Sequence, residues 1–162
     1  MNEDGTGVRP LPNTGGPLGY SGPAWSPDGS RLVLVGVEQL YVLDLSGGTP
    51  PPIPNTQGGV EPAWSPDGKR IAFGDKDGKL YVLTLADRKV VEIADSPRGQ
   101  IRDYVWSPRG NFLAFTMVNQ NQFSSVFVWS ANDGQLRRVT DDFFNSYNPA
   151  WDPQGNYLYF LS

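Results

Sequence analysis

Four short runs of apolar residues recur along the chain, each directly after a turn that contains Pro and Gly. The runs hardly alternate between apolar and polar positions, which is typical of strands that are covered on both faces. They are Leu32–Val35, Ile71–Phe73, Phe112–Phe115 and Tyr157–Leu161. The pattern therefore predicts buried strands in sheets that stack about 10 Å apart.

Each run belongs to a longer repeated segment that places a Trp just before the turn. The segments read PAWSPDGSRLVLVG from Pro23, PAWSPDGKRIAFGD from Pro62, YVWSPRGNFLAFTM from Tyr104 and PAWDPQGNYLYFLS from Pro149. Their tryptophans are Trp25, Trp64, Trp106 and Trp151, so the spacings are 39, 42 and 45 residues. A period of this length, with several short strands per repeat, is typical of the blades of a β-propeller.

The turn in each repeat is explained by the backbone preferences of its residues. In Ser26–Gly29, Pro27 presets φ for the second position, Asp28 suits the third, and Gly29 adopts the left-handed conformation that closes a hairpin. Ser65–Gly68 repeats this sequence, whereas the turns at 107–110 and 152–155 keep only Pro and Gly. We therefore predict a hairpin between the Trp strand and the apolar strand of every repeat.

Two further strands follow in each repeat. Third strands are predicted at Leu40–Leu45, Leu80–Leu85 and Val126–Trp129, and more polar fourth strands at Pro50–Ile53, Val90–Ile93 and Leu136–Val139. The Pro-rich fourth strand of the first repeat is compatible only with an edge, and the outermost strand of a blade is an edge. Each repeat is thus a four-stranded antiparallel meander with its Trp strand innermost.

The predicted fold class is therefore all-β, a β-propeller built from four-stranded antiparallel blades, with three complete blades and a split or partial fourth. One propeller domain or propeller segment spans residues 1–162. The repeats cover about 23–61, 62–103 and 104–148, with partial ones at 1–22 and 149–162. The four repeated tryptophans, like Trp129 on a third strand, are expected to pack in the core between blades.

Composition agrees with this fold and excludes several functions. The 162 residues include 19 Gly and 15 Pro, which disfavour long helices, and 38% are hydrophobic, enough for a folded chain. No Cys or His is present, which excludes disulfides, thiolate or imidazole metal ligands and catalytic pairs of a nucleophile with His. No cofactor and no metal are predicted, and the Asp75–Gly78 segment is explained as a hairpin turn rather than a calcium loop.

Charge and hydropathy limit the partners. A net charge of −4 without a Lys/Arg cluster argues against nucleic acid. No apolar run approaches the roughly 18 residues of a membrane span, and the acidic, Gly-rich first residues do not match a signal peptide. We expect a soluble chain whose partners are proteins or peptides.

The repeats resemble those of a known family. Segments of the form PAWSPDGKRIAF followed by LYVL are similar to the propeller repeats of the TolB family and of tricorn-type proteases, and the similarity extends over most of the chain. The stretch Ile71–Ser162 is most similar to the propeller that precedes the protease core of tricorn-like peptidases. The resemblance implies an accessory propeller of a bacterial protein, periplasmic or cytoplasmic, with any protease chemistry in a domain outside this chain.

The two ends fall inside a blade, which leaves two interpretations open. Met1–Leu11 resembles the end of a third strand, a turn at Asp4–Gly5 and a fourth strand, while Asn156–Leu161 is a second strand. Either the sequence is a piece of a propeller of six or more blades, or its ends meet within one molecule or between copies to close a ring. Because an open arc exposes strand edges, we expect either a homo-oligomer, such as a dimer, or a poorly soluble fragment.

Candidate binding residues lie in the loops that connect one blade to the next, because propellers usually bind at the mouth of the central channel. The candidates directly precede the inner strands and are Tyr20, Glu61, Arg102, Asp103, Tyr147 and Asn148. The alternative is that they are ordinary solvated loop residues or tie adjacent blades together. In the Asp141–Asn145 loop, Phe143 and Phe144 are expected to fold over the gap between two blades, with partner contact as the alternative.

Three functions remain open from the residues alone. The first is a non-catalytic propeller scaffold that binds proteins or peptides, and the second is an accessory propeller that guides peptides to the catalytic domain of a tricorn-like serine peptidase. The third is a self-assembling structural propeller without a specific ligand.

Overall fold

The computed structural model of the protein describes Thr6 and residues 21–36, 39–96, 98–99 and 101–162. The expectations for Met1–Leu11 and for Tyr20 therefore lie outside the described residues. Within the described part of the chain there are thirteen strands and no α-helix.

The strands form four sheets in chain order. The first sheet consists of β1 (Ser21–Trp25), β2 (Arg31–Val35) and β3 (Leu40–Asp44). The second consists of β4 (Val60–Trp64), β5 (Arg70–Gly74), β6 (Lys79–Thr84) and β7 (Lys89–Asp95). The third consists of β8 (Ile101–Trp106), β9 (Phe112–Val118), β10 (Ser124–Ser130) and β11 (Leu136–Arg138), and the fourth of β12 (Tyr147–Trp151) and β13 (Leu158–Leu161).

The predicted propeller architecture is confirmed. Each strand pairs antiparallel with the next one in its sheet, and the inner strands β1, β4, β8 and β12 contact each other in succession. The second strands β2, β5 and β9 are buried almost throughout, as their unbroken apolar sequences indicate. The chain is thus a series of small twisted sheets stacked face to face, each the equivalent of a blade.

The predicted hairpin turn is present in all four sheets. Gly29, Gly68, Gly110 and Gly155 have φ between 66° and 74°, and each donates its amide to the carbonyl three residues earlier. The buried Ser26 adds a bond that the sequence did not suggest, because its Oγ accepts the Arg31 amide at 2.9 Å. Ser65 and Ser107 repeat this contact, and Asp152 replaces it with a carboxylate that accepts the Tyr157 amide. The turn residues thereby also fix the start of the second strand.

The predicted fourth strand of the first repeat, Pro50–Ile53, is wrong. The segment forms no strand; an isolated bridge joins Tyr41 and Pro52, and the Ile53 amide donates to the Leu40 carbonyl of β3 at 2.9 Å. Prolines at 50, 51, 52 and 54 have no amide proton, so a ladder cannot form. The other two predicted fourth strands correspond to β7 and β11.

The core lies between the sheets rather than within them. One cluster, which includes Val33, Leu40, Trp64 and Phe73, fills the interface of the first and second sheets. Another, which includes Leu80, Trp106, Phe115 and Trp129, fills the interface of the second and third. Ring stacking of Phe112 on Trp151, with centroids 6.1 Å apart, joins the third sheet to the fourth.

The repeated tryptophans also hydrogen-bond across these interfaces. Trp64 Nε1 donates to the Ala24 carbonyl at 3.0 Å, and Trp151 Nε1 donates to the Val105 carbonyl at 3.3 Å. The prediction that all four indoles are buried is wrong for Trp25, which is 58% exposed. Since each indole packs on the sheet that precedes its own, Trp25 would need a sheet before the first one, and none is found among the described residues.

Candidate functional site

A β-bulge interrupts every inner strand three residues before its Trp. The pairing register shifts in β1, β4, β8 and β12, and the bulged residues are left-handed: Gly22 (φ 55°), Glu61 (50°), Asp103 (56°) and Asn148 (52°). Three of the four carry side chains, although a left-handed L-residue costs roughly 1–2 kcal/mol. Bulges of this kind re-aim a side chain and recur next to binding sites. The same backbone irregularity therefore displays Glu61, Asp103 and Asn148 on successive sheets.

The bulged residues line two clefts that meet at Arg102. The first cleft, of about 390 Å³, lies between the second and third sheets and includes Glu61, Lys76 and Arg102. The second, of about 360 Å³, lies between the third and fourth sheets and includes Arg102, Asp103, Thr116, Asn145, Tyr147 and Asn148. The structure thus brings together five of the six candidate residues, and the sixth, Tyr20, is outside the described residues.

The charged groups of the clefts are not neutralised by one another. Within the described ranges, the Arg102 guanidinium and the Glu61 and Asp103 carboxylates form no ion pair. All three side chains are exposed. They are therefore available as one cationic and two anionic hydrogen-bonding groups on a shared surface.

Tyr104 connects the backbone of the two sheets that form the first cleft. The single proton of its hydroxyl is donated to the Glu61 carbonyl, and the Val60 carbonyl lies 3.3 Å from the same oxygen. Burial, followed by the nearby Glu61 carboxylate, raises the pKa of Tyr104, so the phenol stays protonated and remains a donor. The other three repeats have Pro at this position. The bond therefore fixes the distance between two neighbouring bulges at one site only.

Thr116 lies on the floor of the second cleft and was not suggested by the sequence. It pairs in register with Arg102, is 3% exposed, and its Oγ1 has no hydrogen-bond partner among the described residues. The corresponding positions of the other sheets are Val35, Gly74 and Leu161. A buried hydroxyl without a partner is unusual, and no local pattern in the apolar strand FLAFTMV distinguishes it.

The expectation that Phe143 and Phe144 cover an inter-blade gap is wrong. They are 74% and 67% exposed, in the loop whose Asn145 lines the second cleft. The loop is held by its polar groups instead: Asn145 Oδ1 accepts the Ser124 amide at 2.9 Å, and the Asp141 carbonyl accepts the Ser125 hydroxyl at 2.9 Å. With the backbone anchored at both ends, the two rings project away from the sheets.

A smaller cleft, of about 270 Å³, lies between the first and second sheets, where the Pro-rich segment fails to form a strand. Its walls are mainly aliphatic, from Val42, Ile53, Leu83 and Leu85, with Arg31 and Arg88 at its margin. None of the five predicted site residues that the structure describes lines it. We therefore assign the candidate site to the two polar clefts.

Catalytic and metal-binding features are limited by the residue types. The chain has no His or Cys, and no group of three or more Asp or Glu that could hold a metal is found over the described ranges. Likewise, the residues that the structure describes include no helix of the length and hydropathy required to cross a membrane.

A family model and a curated relative that match this chain both describe tricorn-type proteins. The sequence model of the family described as "Tricorn protease second beta propeller domain" matches residues 18–162. A tricorn protease homologue of Saccharolobus solfataricus is 26% identical over 84 residues, which are 52% of this chain and 8% of that protein. The chain thus spans a small part of the length of the curated relatives it matches.

Solved structures show the same fold. The crystal structure of the tricorn protease superposes with a TM-score of 0.80 at 16% identity, covering 93% of this chain and 16% of that one. A structure described as putative TolB from Agrobacterium tumefaciens superposes with a TM-score of 0.67 at 24% identity, covering 90% of this chain and 54% of that one.

Proposed function

Because the chain belongs to the family of tricorn protease second β-propeller domains, we propose that it is a binding scaffold that holds a protein or peptide segment in the two clefts on either side of Arg102. The observation that carries this proposal is the recurrence of the left-handed bulge, which displays Glu61, Asp103 and Asn148 from three successive sheets. Recurrence of the same left-handed backbone at equivalent positions of successive repeats favours a shared role for these positions.

The chemistry of the clefts suits an extended peptide. The Arg102 guanidinium donates to carbonyl or carboxylate oxygens, and the Glu61 and Asp103 carboxylates accept from amides or cationic side chains. The Asn148 carboxamide can do both, and Tyr147 adds an exposed aromatic ring at the wall of the second cleft. A peptide that spans both clefts would therefore pass Arg102 at its centre.

The proposal is tested with a phage-displayed library of random peptides selected on the purified protein. Peptides recovered from the library are then measured by calorimetry against the protein and two cleft variants, Arg102→Ala and Asp103→Asn. We expect at least a roughly tenfold loss of affinity, about 1.4 kcal/mol, in each variant. The control is Arg137→Ala, whose guanidinium is exposed on the outer strand β11 and pairs with Asp133 at 3.2 Å. Equal binding by cleft and control variants would show that the clefts are not the binding site.

A second candidate is an accessory propeller that guides peptides to the catalytic domain of a tricorn-like serine peptidase. The family match and the tricorn protease homologue support it. The genomic sequence downstream separates the two candidates, because a PDZ-like segment and a serine protease core would favour the accessory role. The resemblance to TolB supports a bacterial periplasmic or cytoplasmic location, which fractionation of cells would test.

We also propose that copies of the chain associate to close the ring, for example as a dimer. The fourth sheet supports this, because among the described residues β13 pairs only with β12, and Tyr159 and Leu161 are exposed. Exposed edges of this kind favour pairing with another chain. Light scattering on the pure protein gives its mass; a monomer at all concentrations would contradict association. If it associates yet binds no library peptide, the third function, a structural ring without a ligand, is supported.

A further inference from the structure

We propose that the loop Asp141–Asn145, together with the second cleft, selects peptides in which hydrophobic and basic side chains alternate. The hydrophobic side chains would pack on Phe143 and Phe144, and the basic ones would meet the carboxylates of Asp103 and Asp141. This inference rests on the proposed peptide-binding function and specifies the chemistry of the peptide.

The loop is ordered by hydrogen bonds to the neighbouring hairpin. Besides the two bonds given above, the Asn121 carboxamide donates to the Asp142 carbonyl at 2.8 Å, and the Ser146 amide donates to the Ser124 carbonyl at 2.8 Å. Arg138 pairs with the Asp142 carboxylate at 3.0 Å. A loop fixed in this way loses little conformational freedom when a ligand binds, which favours affinity.

The two phenylalanines are the hydrophobic part of the site. Neighbouring exposed aromatic rings on an ordered loop are a common form of interaction site, since buried aromatics contribute most of the energy at protein interfaces. Asn145, directly after Phe144, lines the second cleft with Tyr147. The rings therefore belong to a loop whose last residue lines the cleft through which the proposed peptide passes.

Charge decides which peptide fits. In the loop, Asp142 is paired with Arg138, whereas Asp141 of the loop and Asp103 of the second cleft form no ion pair with any described residue. One oxygen of Asp141 accepts the Phe143 amide at 3.2 Å, which leaves the carboxylate its negative charge. The two unpaired carboxylates outnumber the one guanidinium of the cleft, that of Arg102, and the whole chain carries a net charge of −4. Since successive side chains of an extended peptide point to opposite sides, alternating residues can meet the rings and the carboxylates together.

The test uses three capped synthetic peptides of equal length, with lysine and leucine, glutamate and leucine, or lysine and serine in alternation. Binding is followed by fluorescence anisotropy. We expect the lysine–leucine peptide to bind at least about tenfold more tightly than either of the others, and to bind more weakly as salt is added. Equal affinity of the glutamate–leucine and lysine–leucine peptides would overturn the inference.

The variants separate this inference from the function on which it rests. The double variant Phe143→Ala, Phe144→Ala should bind the lysine–leucine peptide at least about tenfold more weakly. The control is Tyr157→Ala, which removes another exposed ring next to β13 and should leave the affinity unchanged. Both variants alter exposed side chains, so they are expected to fold. If library peptides need Arg102 and Asp103 but the double variant binds the lysine–leucine peptide normally, this inference fails and the proposed function stands. If no library peptide depends on the cleft residues, the proposed function fails.

Discussion

The indole Nε1 of Trp106 donates a hydrogen bond to the carbonyl of Ala63, at 3.1 Å, from one sheet to the inner strand of the sheet before it. Trp106 also packs edge to face on Trp129, with ring centroids 6.4 Å apart. The same bond from indole to carbonyl recurs at Trp64 and Trp151. Packing and hydrogen bonding at one position per repeat therefore set the stacking of the sheets, and the clefts are the gaps that this stacking leaves at the bulges.

Removing one of these indoles should destabilise the protein severely. Trp106 is 6% exposed, so Trp106→Ala is expected to lower the free energy of unfolding by about 3–5 kcal/mol through the cavity and the lost bond. Trp25 occupies the same repeat position but is mostly exposed, and Trp25→Ala should cost less than about 1 kcal/mol. Urea denaturation of both variants checks the difference. Similar losses in the two variants would contradict the assignment of the indoles to the interfaces.

A pair of turn glycines tests the contact between neighbouring hairpins. Gly29 and Gly155 occupy the same turn position with φ of 69° and 74°. A Cβ at Gly155 would lie 3.2 Å from Cδ of Pro108 in the preceding turn, whereas one at Gly29 has nothing within 4 Å. Gly29→Ala and Gly155→Ala should each destabilise the protein by roughly 1–2 kcal/mol through backbone strain. Gly155→Ala should cost more than Gly29→Ala, because its Cβ also contacts Pro108. Thermal unfolding of the two variants gives the comparison, and an equal loss at both would show that the turns do not touch.

Removal of the hydroxyl should destabilise the protein at one buried threonine, Thr56, but not at another, Thr116. Thr56 accepts the Leu40 amide at 2.9 Å and donates to the Ile53 carbonyl at 2.7 Å, so Thr56→Val should cost about 1–3 kcal/mol. The Thr116 hydroxyl has no hydrogen-bond partner in the part of the chain that the structure describes, and Thr116→Val should leave stability unchanged or raise it by about 1 kcal/mol. Guanidinium denaturation distinguishes them. A clear loss in Thr116→Val would mean that this hydroxyl has a stabilising partner.

Acid should weaken the first hairpin turn. The Ser26 hydroxyl, followed by the amide and hydroxyl of Ser30, lowers the pKa of Asp28 from 3.8 to about 2. Because the folded state favours the carboxylate, its contribution is complete above the unfolded pKa and is lost as the pH falls through the folded pKa. The urea concentration at the midpoint of unfolding should therefore decrease as the pH is lowered from about 4 to about 2. The decrease should be less steep in Asp28→Asn than in the unsubstituted protein. The same slope in both proteins would exclude Asp28 as a source of the acid sensitivity.

The repeats made most of the fold predictable. Apolar runs after each turn located β2, β5, β9 and β13, and the Pro and Gly of the turns supplied the backbone conformation that closes each hairpin. The segment Pro50–Ile53 was misassigned because its prolines were judged compatible with an edge strand, whereas an edge strand still needs amide protons to pair with β3, and Pro50, Pro51 and Pro52 have none. Trp25 was misassigned because burial in a repeat depends on a neighbouring repeat as well as on the residue itself.

The candidate site was predictable in position but not in geometry. Glu61, Arg102 and Asp103 were expected in loops directly before the inner strands, whereas they lie within β4 and β8. Asp and Asn adopt the left-handed conformation more readily than most residues, but nothing in the sequence marks Glu61 for it. Thr116 lies inside an apolar strand and has no local signature. The outward orientation of Phe143 and Phe144 depends on hydrogen bonds to the hairpin at 121–125, which are distant in sequence.

The stacking of the sheets through their indoles is tested most directly by hydrogen exchange of the tryptophan Nε1 protons, followed by NMR. We expect slow exchange for Trp64, Trp106 and Trp151, which donate across the interfaces, and fast exchange for Trp25. Fast exchange of the three interface indoles in the folded protein would contradict this stacking of the sheets.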